Sequence, residues 1–341
     1  MFKIKGILLT IACFFSSNSF SQDIKYLSKS FKLSLSQTNS LDIFSINNNG
    51  EILGSYSSEI KTNYKTVFIA YPSKKGHDYR IETVGSYFLP KVFQLTDGGK
   101  ILCLLPARNL NIYEPVQITK EKSGIWTTKS IDAKMVDVTF GRSNDNFIVL
   151  NSPNTNVPNT RIINKDDFKI IHSGTDTCTI VSVNSKGNAA GFCKFGNKTF
   201  PIVYIYKSDT IIPFLSKING YAVAINESDL VCGVYYTSEM EERTFTWNVT
   251  DLKIFFADGP SFTDMDPDKQ TIPIFINNEM IVARSESSFV YFKNEKKYYP
   301  GKVLDNYGLK RADIKNIIAL NERNELIIKL NDKKFILVKL P

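Results

Sequence analysis

The side chains best suited to acid–base or nucleophilic chemistry are scarce, because this chain of 341 residues has only two histidines, His77 and His172. A serine or cysteine nucleophile needs such a base beside it. Both histidines lie in or near polar stretches between apolar runs, and no Gly-x-Ser-x-Gly elbow occurs. We therefore expect both histidines at the surface and assign no catalytic residue.

The densest acidic stretch is residues 264–268, with the sequence DMDPD. Alternating carboxylates resemble the start of a calcium loop. An EF-hand requires Gly at its sixth position and Glu at its twelfth, where this chain has Lys269 and Phe275. Two hypotheses remain, a looser Ca²⁺ site and a solvated acidic loop. The carboxylates of the calcium hypothesis belong to Asp264, Asp266 and Asp268. We expect no other cofactor.

Two of the five cysteines, Cys178 and Cys193, flank one polar turn. If that turn spans Asn184 to Gly187, an antiparallel hairpin places the two cysteines opposite each other, close enough for a disulfide. A bulge in the turn would shift the register by one residue and separate them. The alternative is a pair of buried thiols.

The remaining cysteines offer no metal site. Cys103 and Cys232 occupy nearly equivalent places in different repeats, so we expect both to be free and buried. Cys13 lies in a segment that we expect to be removed. No Cys-x-x-Cys or Cys/His spacing occurs, which argues against zinc.

Aromatic side chains provide another type of candidate site. Exposed Tyr and Trp rings form platforms for sugars or peptides. The candidate binding residues are Tyr113, Trp126, Tyr236 and Tyr298. Core packing is the competing explanation, because in a strand one of two adjacent tyrosines points inward. Trp247 and the repeated Phe residues are better explained as packing between repeats.

These residues must be positioned by a repeated sequence motif, which we call the phrase; its first copy is INNNGEILG, beginning at Ile46. Its copies recur about every 46 residues, a period typical of repeat architectures. They begin at Ile46, Leu95, Arg142, Val183, Ile225, Ile276 and Leu320. The copy at Arg142 is weak.

The phrase predicts a β-hairpin. Asn hydrogen-bonds its own backbone in turns, and Gly or Asn accepts the positive φ of a tight loop. An apolar strand, an aromatic strand such as residues 66–71, and a fourth short strand follow. Four short strands per repeat predict the blades of an all-β propeller.

Seven copies predict seven blades, with six as the alternative. The last copy has too few strands, since only residues 325–330 and 334–340 follow its turn, although residues 309–320 also fit a strand. Residues 31–36 alternate apolar and polar side chains, which predicts a strand. We expect this N-terminal strand to complete the last blade and close the ring.

The repeat resembles the extracellular HAF-type repeat. The matching residues are Ala222-Val223-Ala224-Ile225-Asn226, Val231, Gly233, Tyr235, Phe245 and Trp247. The His-Ala-Phe tripeptide is replaced by Arg243-Thr244-Phe245 and by Lys198-Thr199-Phe200. The resemblance covers most of the chain after residue 21. It implies an exported, propeller-like repeat protein and transfers no catalytic assignment.

Residues 1–21 are predicted to be a signal peptide. Lys3 and Lys5 precede an apolar run of about ten residues, too short to span a bilayer, and Ser19-Phe20-Ser21 fits a cleavage site. Lipid attachment at Cys13 is the alternative. Residues 22–341 then form one domain, exported to the periplasm or the cell exterior. We expect a monomer with no membrane span.

The net charge of +8 falls to +6 without the signal peptide. Its lysines are scattered, which favours a solvated surface over a nucleic-acid site. We therefore expect a non-enzymatic propeller that binds a protein or glycan through loops on one face. The alternatives are a polysaccharide hydrolase or lyase using channel carboxylates and a structural envelope protein.

Overall fold

The computed structural model describes residues 25–57, 63–74, 78–107, 112–131, 138–152, 159–164, 168–171, 177–213, 219–236, 242–249, 253–256, 272–285, 288–293, 296–298, 304–305, 309–310 and 313–341. These residues form seven antiparallel sheets of four strands each. The chain is therefore a seven-bladed β-propeller, as the repeat predicts, and the six-bladed alternative is wrong.

Each sheet is one blade, and blades 1 to 6 take their strands in chain order. Blade 1 contains β2 (Asp42–Ile46), β3 (Ile52–Ser57), β4 (Tyr64–Pro72) and β5 (Tyr79–Phe88). Blade 2 contains β6 (Lys91–Leu95), β7 (Ile101–Pro106), β8 (Tyr113–Lys120) and β9 (Trp126–Ser130). Blade 3 contains β10 (Thr139–Phe140), β11 (Phe147–Ser152), β12 (Asn159–Asn164) and β13 (Phe168–Ile171).

The later blades follow the same plan. Blade 4 contains β14 (Thr177–Val183), β15 (Ala189–Phe195), β16 (Lys198–Ile205) and β17 (Thr210–Pro213). Blade 5 contains β18 (Gly220–Ile225), β19 (Leu230–Tyr236), β20 (Glu242–Asn248) and β21 (Lys253–Phe256). Blade 6 contains β22 (Ile272–Ile276), β23 (Met280–Ser285), β24 (Ser288–Lys293) and β25 (Lys296–Tyr298).

Blade 7 is built from both ends of the chain. Its strands are β26 (Ile314–Leu320), β27 (Glu325–Leu330), β28 (Phe335–Lys339) and the N-terminal β1 (Lys25–Tyr26). Lys25 pairs with Leu337 and Tyr26 with Ile336. Closure of the ring by N- and C-terminal strands is confirmed, and so is the strand predicted within residues 309–320.

Residues 31–36, however, are not the closing strand, and that part of the prediction is wrong. Residues 31–34 link α1 (Leu27–Ser30) to α2 (Leu35–Asn39), and residues 35 and 36 are the first two of α2. Ser34 caps α2, because its hydroxyl accepts a bond from the Gln37 main-chain nitrogen and the Gln37 side chain accepts one from the Ser34 nitrogen. Phe31 is buried against the edges of Phe68 and Tyr79. The alternation therefore reflects a capped helix beside a buried anchor.

The first strand of each blade lies toward the centre of the ring. These strands contact one another from blade to blade, with β2 touching both β6 and β26, and β18 touching both β14 and β22. We call the end at which the first strand turns into the second the turn face. The opposite end, where the chain passes to the next blade, is the crossover face.

The second strands are continuous apolar runs because neighbouring blades cover both of their faces. In β3 and β7 the first four residues are all buried, and in β27 five of the six are buried. Seven apolar clusters fill the interior of the described residues, and each of them joins one blade to the next. Leu27 and Phe31 belong to the cluster that seals blade 7 against blade 1.

The two glycines of the first phrase serve different needs. Gly50 takes a φ of +79°, and the equivalent Asp229 and Asn324 also have positive φ. Gly54 lies under an aromatic ring, since a Cβ there would come within 2.5 Å of Phe68 Cζ. The last Gly of the phrase therefore makes room for the aromatic third strand.

The disulfide between Cys178 and Cys193 is confirmed, but the predicted register near its turn is wrong. Val183 pairs with Ala189, one residue later than predicted, beside Gly187 with its φ of +85°. A second irregularity between residues 180 and 182 restores the register, so Cys178 pairs with Cys193. Cys103 and Cys232 are free and buried, as predicted.

Candidate functional site

The polar turns of the repeat hold themselves and also hold the next blade. In blade 6, Asn277 Oδ1 accepts hydrogen bonds from the main-chain nitrogens of Glu279 (2.9 Å) and Met280 (2.8 Å). Its Nδ2 donates to the main-chain oxygen of Asn321 in blade 7 at 2.8 Å. The first role is the predicted turn chemistry. The second cannot be read from a single copy.

Equivalent asparagines join consecutive blades in the same way, and we call this set the Asn belt. Its members are Asn47, Asn184, Asn226, Asn277 and Asn321. The other Nδ2 bonds to the main chain of the next blade run from Asn184 to Asn226 O (3.1 Å), from Asn226 to Asn277 O (3.0 Å), from Asn321 to Asn47 O (3.0 Å) and from Asn47 to Thr96 O (3.0 Å). The belt therefore runs from blade 4 through blades 7 and 1 to blade 2. All five side chains are buried.

The belt is irregular around blade 3. Asn144 holds its turn as Asn277 does, but its Nδ2 lies 3.4 Å from Val183 O. The alignment that begins this copy at Arg142 is thus wrong by one residue. Blade 2 is linked to blade 3 by Gln94, which donates to Ser143 O and accepts from Ser143 N at 2.9 Å.

Carboxylates also gather on the turn face, in three turns at the residue directly after the belt position, and each accepts a main-chain hydrogen bond from the preceding blade. Asp97 accepts from the Asn48 nitrogen (2.7 Å), Glu227 from the Ser185 nitrogen (3.0 Å) and Glu322 from the Asn278 nitrogen (2.9 Å). These side chains thus link turn to turn.

Glu322 reports the electrostatic cost of this arrangement. Burial raises the pKa of its carboxyl, the hydrogen bond from Asn278 opposes that rise, and the negative charges of Glu227, Asp97 and Glu279 add to it. Asp229 shows the opposite balance: burial acts to raise the pKa of its carboxyl, but hydrogen bonds from Lys186, Asn188 and Asn184 together outweigh burial and lower that pKa.

The residues at the centre of the ring test the hypothesis that carboxylates in the central channel catalyse hydrolysis or elimination. Two residues before Asn47 and its equivalents, the innermost segments of the seven blades carry Ser45, Gln94, Arg142, Ser182, Ala224, Phe275 and Ala319. None of these is a carboxylate. The carboxylates described above lie at the turn face, where they bind main-chain nitrogens. This level of the ring therefore offers no acid–base pair to the hydrolase or lyase hypothesis.

The structure does not combine the predicted aromatic residues into one platform. Tyr113 and Trp126 lie at opposite ends of β8, where Tyr113 pairs with Pro106 and Trp126 pairs with Lys120. Trp126 Nε1 donates to Glu82 Oε1 of blade 1 at 3.0 Å, which ties two blades together. Tyr113 lies on the crossover face, with Lys91 Nζ 4.0 Å from the centre of its ring.

The other two predicted aromatic residues lie in distant blades. Tyr236 ends β19, and its hydroxyl bonds to Glu242 Oε1 at 3.3 Å. Tyr298 is 40% exposed and stacks on Tyr291, with ring centres 5.2 Å apart. All four binding assignments remain predictions.

Some candidate chemistry falls outside the described residues. This applies to His77, His172 and the calcium hypothesis of Asp264, Asp266 and Asp268. Among the described residues, no three His, Cys, Asp or Glu side chains are placed to hold a metal ion. No helix in the same ranges is long and apolar enough to cross a membrane.

An aromatic cleft opens between blades 1 and 2 on the crossover face. It has a volume of about 430 Å³ and is lined by Tyr64, Tyr87, Phe88, Leu105 and Pro106. Tyr64 and Phe88 meet edge to face, with ring centres 5.5 Å apart. The lining residues are all only partly buried, so their carbon surfaces are available to a ligand. We call this feature the aromatic cleft.

Two exposed aliphatic residues flank the aromatic cleft. Leu89 is 44% exposed, and its nitrogen donates to Asn63 O beside Tyr64. Ile112 is 43% exposed, and its main-chain oxygen accepts from the nitrogen of Ala107, the residue after Pro106. Sequence reasoning missed this site because its lining residues come from three strands of two blades. The sequence signal that could have indicated the cleft is the presence of apolar residues at strand ends, because the turns that follow strands are usually polar.

No family model matches the chain, and no curated protein matches its sequence. The HAF-type resemblance therefore remains a prediction. Solved structures match in fold alone. The β-propeller domain of the Trilobed protease from Pyrococcus furiosus has a TM-score of 0.55 and 8% identity, over 88% of this chain and 95% of that one.

Two further structures agree with this fold. YCF48 bound to D1 peptide has a TM-score of 0.53 and 7% identity, covering 89% of this chain and 94% of that one. The tricorn protease has a TM-score of 0.56 and 12% identity, covering 89% of this chain but only 33% of that one. The propeller accounts for most of this chain in each comparison.

Proposed function

We propose that this protein is an exported, non-enzymatic scaffold that binds a protein partner on its crossover face. The observation that carries this proposal is the aromatic cleft with its two flanking aliphatic side chains. A mainly carbon lining with a few polar groups is the usual character of a ligand site. Exposed apolar residues that lie together mark interaction surfaces more often than scattered ones do.

A protein segment fits the aromatic cleft better than a glycan does. Phe88, Leu105 and Pro106 offer no hydrogen-bonding side chain, whereas sugar hydroxyls need such partners when they leave water. Burial raises the pKa of Tyr87, and a hydrogen bond involving Thr128 partly opposes this. That tyrosine therefore keeps its proton at neutral pH. A solved propeller of similar size, YCF48, holds the D1 peptide, which supports peptide binding as a use of this fold.

Export is the second part of the proposal. The predicted signal peptide at residues 1–21 lies outside the described residues. A disulfide persists more readily in an oxidising compartment than in the cytosol, so Cys178–Cys193 supports export. The periplasm and the cell exterior both satisfy this condition.

Selection from a phage-displayed random peptide library tests the binding site. Peptides rich in aromatic and aliphatic residues should be enriched, and the double variant Leu89→Asn, Ile112→Ser should weaken their binding at least about tenfold. Leu89 has a φ of +39°, a region that Asn tolerates well, so the fold should survive. Ile125→Ser is the matched control, because Ile125 is 63% exposed on the turn face of blade 2.

Equal loss in the double variant and the control would contradict the proposal. A parallel glycan array and a screen for polysaccharide hydrolysis address the other hypotheses. Saturable glycan binding without peptide enrichment, or hydrolysis, would replace this proposal by one of them.

A further inference from the structure

A positively charged side chain crosses the centre of the ring. Arg142, in the inner segment of blade 3, donates from Nη2 to the main-chain oxygen of Ile274 in blade 6. Its guanidinium carbon lies 4.1 Å from the centre of the Phe275 ring, also in blade 6. Blades 3 and 6 are almost opposite each other in a ring of seven, so the side chain spans the middle.

The main chain fixes this side chain in place. The Arg142 nitrogen donates to Val181 O at 2.8 Å, and its oxygen accepts from Val183 N at 3.1 Å. These bonds form a parallel bridge between Arg142 and Ser182 of blade 4. Within the described ranges, no other isolated bridge joins the innermost segments of two blades. The arginine is thus held by two blades and stacked on a third.

The charge of Arg142 has no protein counter-charge among the described residues. No carboxylate forms an ion pair with it there, and the equivalent residues of the other six blades are uncharged. Its Nε and Nη1 groups have no hydrogen-bond acceptor within the same residues. Burial lowers the pKa of the guanidinium to about 10, so it stays cationic at neutral pH.

An unbalanced charge in a partly desolvated place is costly unless something supplies the opposite charge. We infer that Arg142 is the anchor of an anion-binding site at the centre of the ring, and that its ligand is a carboxylate. A single guanidinium matches one carboxylate through two parallel hydrogen bonds, whereas a doubly charged phosphate calls for further cations. Phe275 supplies an apolar wall beside the bound group.

The two ends of the ring differ in how they would admit such a ligand. The turn face carries Asp97, Glu227 and Glu322, whose negative charges repel an anion. The carboxylate therefore enters from the crossover face. This site goes beyond the proposed partner binding, because the aromatic cleft lies between blades 1 and 2 and shares no residue with it.

Acetate and benzoate are the first probes. In ¹⁵N spectra, the Nε–H resonance of Arg142 should shift saturably with either salt, compared with chloride at the same ionic strength. Both salts should also raise the melting temperature of the wild type and leave that of Arg142→Gln unchanged. Arg80→Gln is the matched control, because Arg80 also stacks on a ring, that of Tyr71 at 4.7 Å, but at the outer edge of blade 1.

Peptides with a free or an amidated C-terminus form the second arm. A response to the small salts identifies a site for small organic acids. A response confined to the free-acid peptides identifies a site for a chain terminus. The inference is overturned if the Arg142 resonance moves with neither kind of carboxylate. It is equally overturned if Arg142→Gln, folded by circular dichroism, is stabilised as much as the wild type. These outcomes are independent of the phage experiment.

Discussion

Substitution of one member of the Asn belt should reveal how much the links between blades contribute to stability. In Asn277→Asp the carboxylate can still accept from the nitrogens of Glu279 and Met280, so the turn is kept. It cannot donate. The bonds from Nδ2 to Asn321 O and to Asn324 Oδ1, both 2.8 Å, are lost, and three oxygens then face one another in a buried place.

The size of the effect follows from these contacts. Each lost hydrogen bond contributes about 0.5–1.5 kcal/mol, and leaving the buried oxygens unpaired adds about 1 kcal/mol or more. We expect a loss of about 3 kcal/mol in the free energy of unfolding. The unfolding entropy of a 341-residue chain is about 0.7 kcal/mol/K, so the melting temperature should fall by about 4 °C. Rotation of the Asn324 amide could restore a donor only by breaking its bond to Glu279.

Asn144→Asp is the matched control. Asn144 makes the same turn bonds, but its Nδ2 contact is 3.4 Å long, so the substitution should cost less than about 1 kcal/mol. Asn277 and Asn144 each lie near an acidic side chain, so the repulsion of the new Asp charge should be similar in the two variants. Differential scanning calorimetry and urea unfolding give the two values. Equal losses would show that the links between blades add nothing to the turns, and would refute this reasoning.

Three further predictions concern the disulfide, the ring closure and the turn-face carboxylates. The double variant Cys178→Ser, Cys193→Ser removes the disulfide, whose cysteines are 15 residues apart, and should lower the free energy of unfolding in urea by about 3 kcal/mol. An unchanged urea midpoint would contradict a stabilising role for the disulfide. Leu27→Ala removes a fully buried side chain between blades 7 and 1 and should lower the free energy of unfolding by about 2–5 kcal/mol. Leu35, which is 78% exposed, is the control, and Leu35→Ala should change that free energy very little. Equal melting temperatures of the two variants would show that Leu27 does not stabilise the contact between these blades. The pKa of Glu322 is raised in the folded state, so above that pKa its negative charge destabilises the fold. Glu322→Gln should therefore stabilise the protein at pH 7, and the gain should disappear as the pH falls below the pKa of glutamate in the unfolded chain. A difference in stability that does not change with pH would refute this prediction.

The repeat in the sequence predicted the fold because each copy carries its own turn chemistry. The identities of Asn47 and Gly50 follow from the geometry of their own turn, so they can be interpreted from a single sequence. The sequence misplaces the closing strand because residues 31–36 combine a buried Phe31 with a helix cap at Ser34, and this combination also alternates apolar and polar side chains. It predicts which blade the N-terminus completes, but not which segment completes it.

The candidate sites were harder to predict because they depend on contacts between blades. The aromatic cleft joins strand ends of two blades, and Arg142 meets Phe275 across the ring, 133 positions along the chain. No local pattern contains such pairs. The disulfide was predictable because its cysteines share one hairpin, although two register shifts that cancel were needed to bring them together.

The order of synthesis gives the belt a further consequence. Asn321 donates to the oxygen of Asn47, made 274 residues earlier, and β1 finds its partner only when β28 exists. A nascent chain that lacks blade 7 leaves the edge of blade 6, the first strand of blade 1 and the N-terminal segment without their neighbours. Such long-range closure is slow, and unpaired edges promote aggregation in the meantime. Premature truncation near the C-terminus should therefore be as damaging as the loss of a whole blade, and a chaperone that holds the open ring would have most effect before residues 335–339 of β28 have been made.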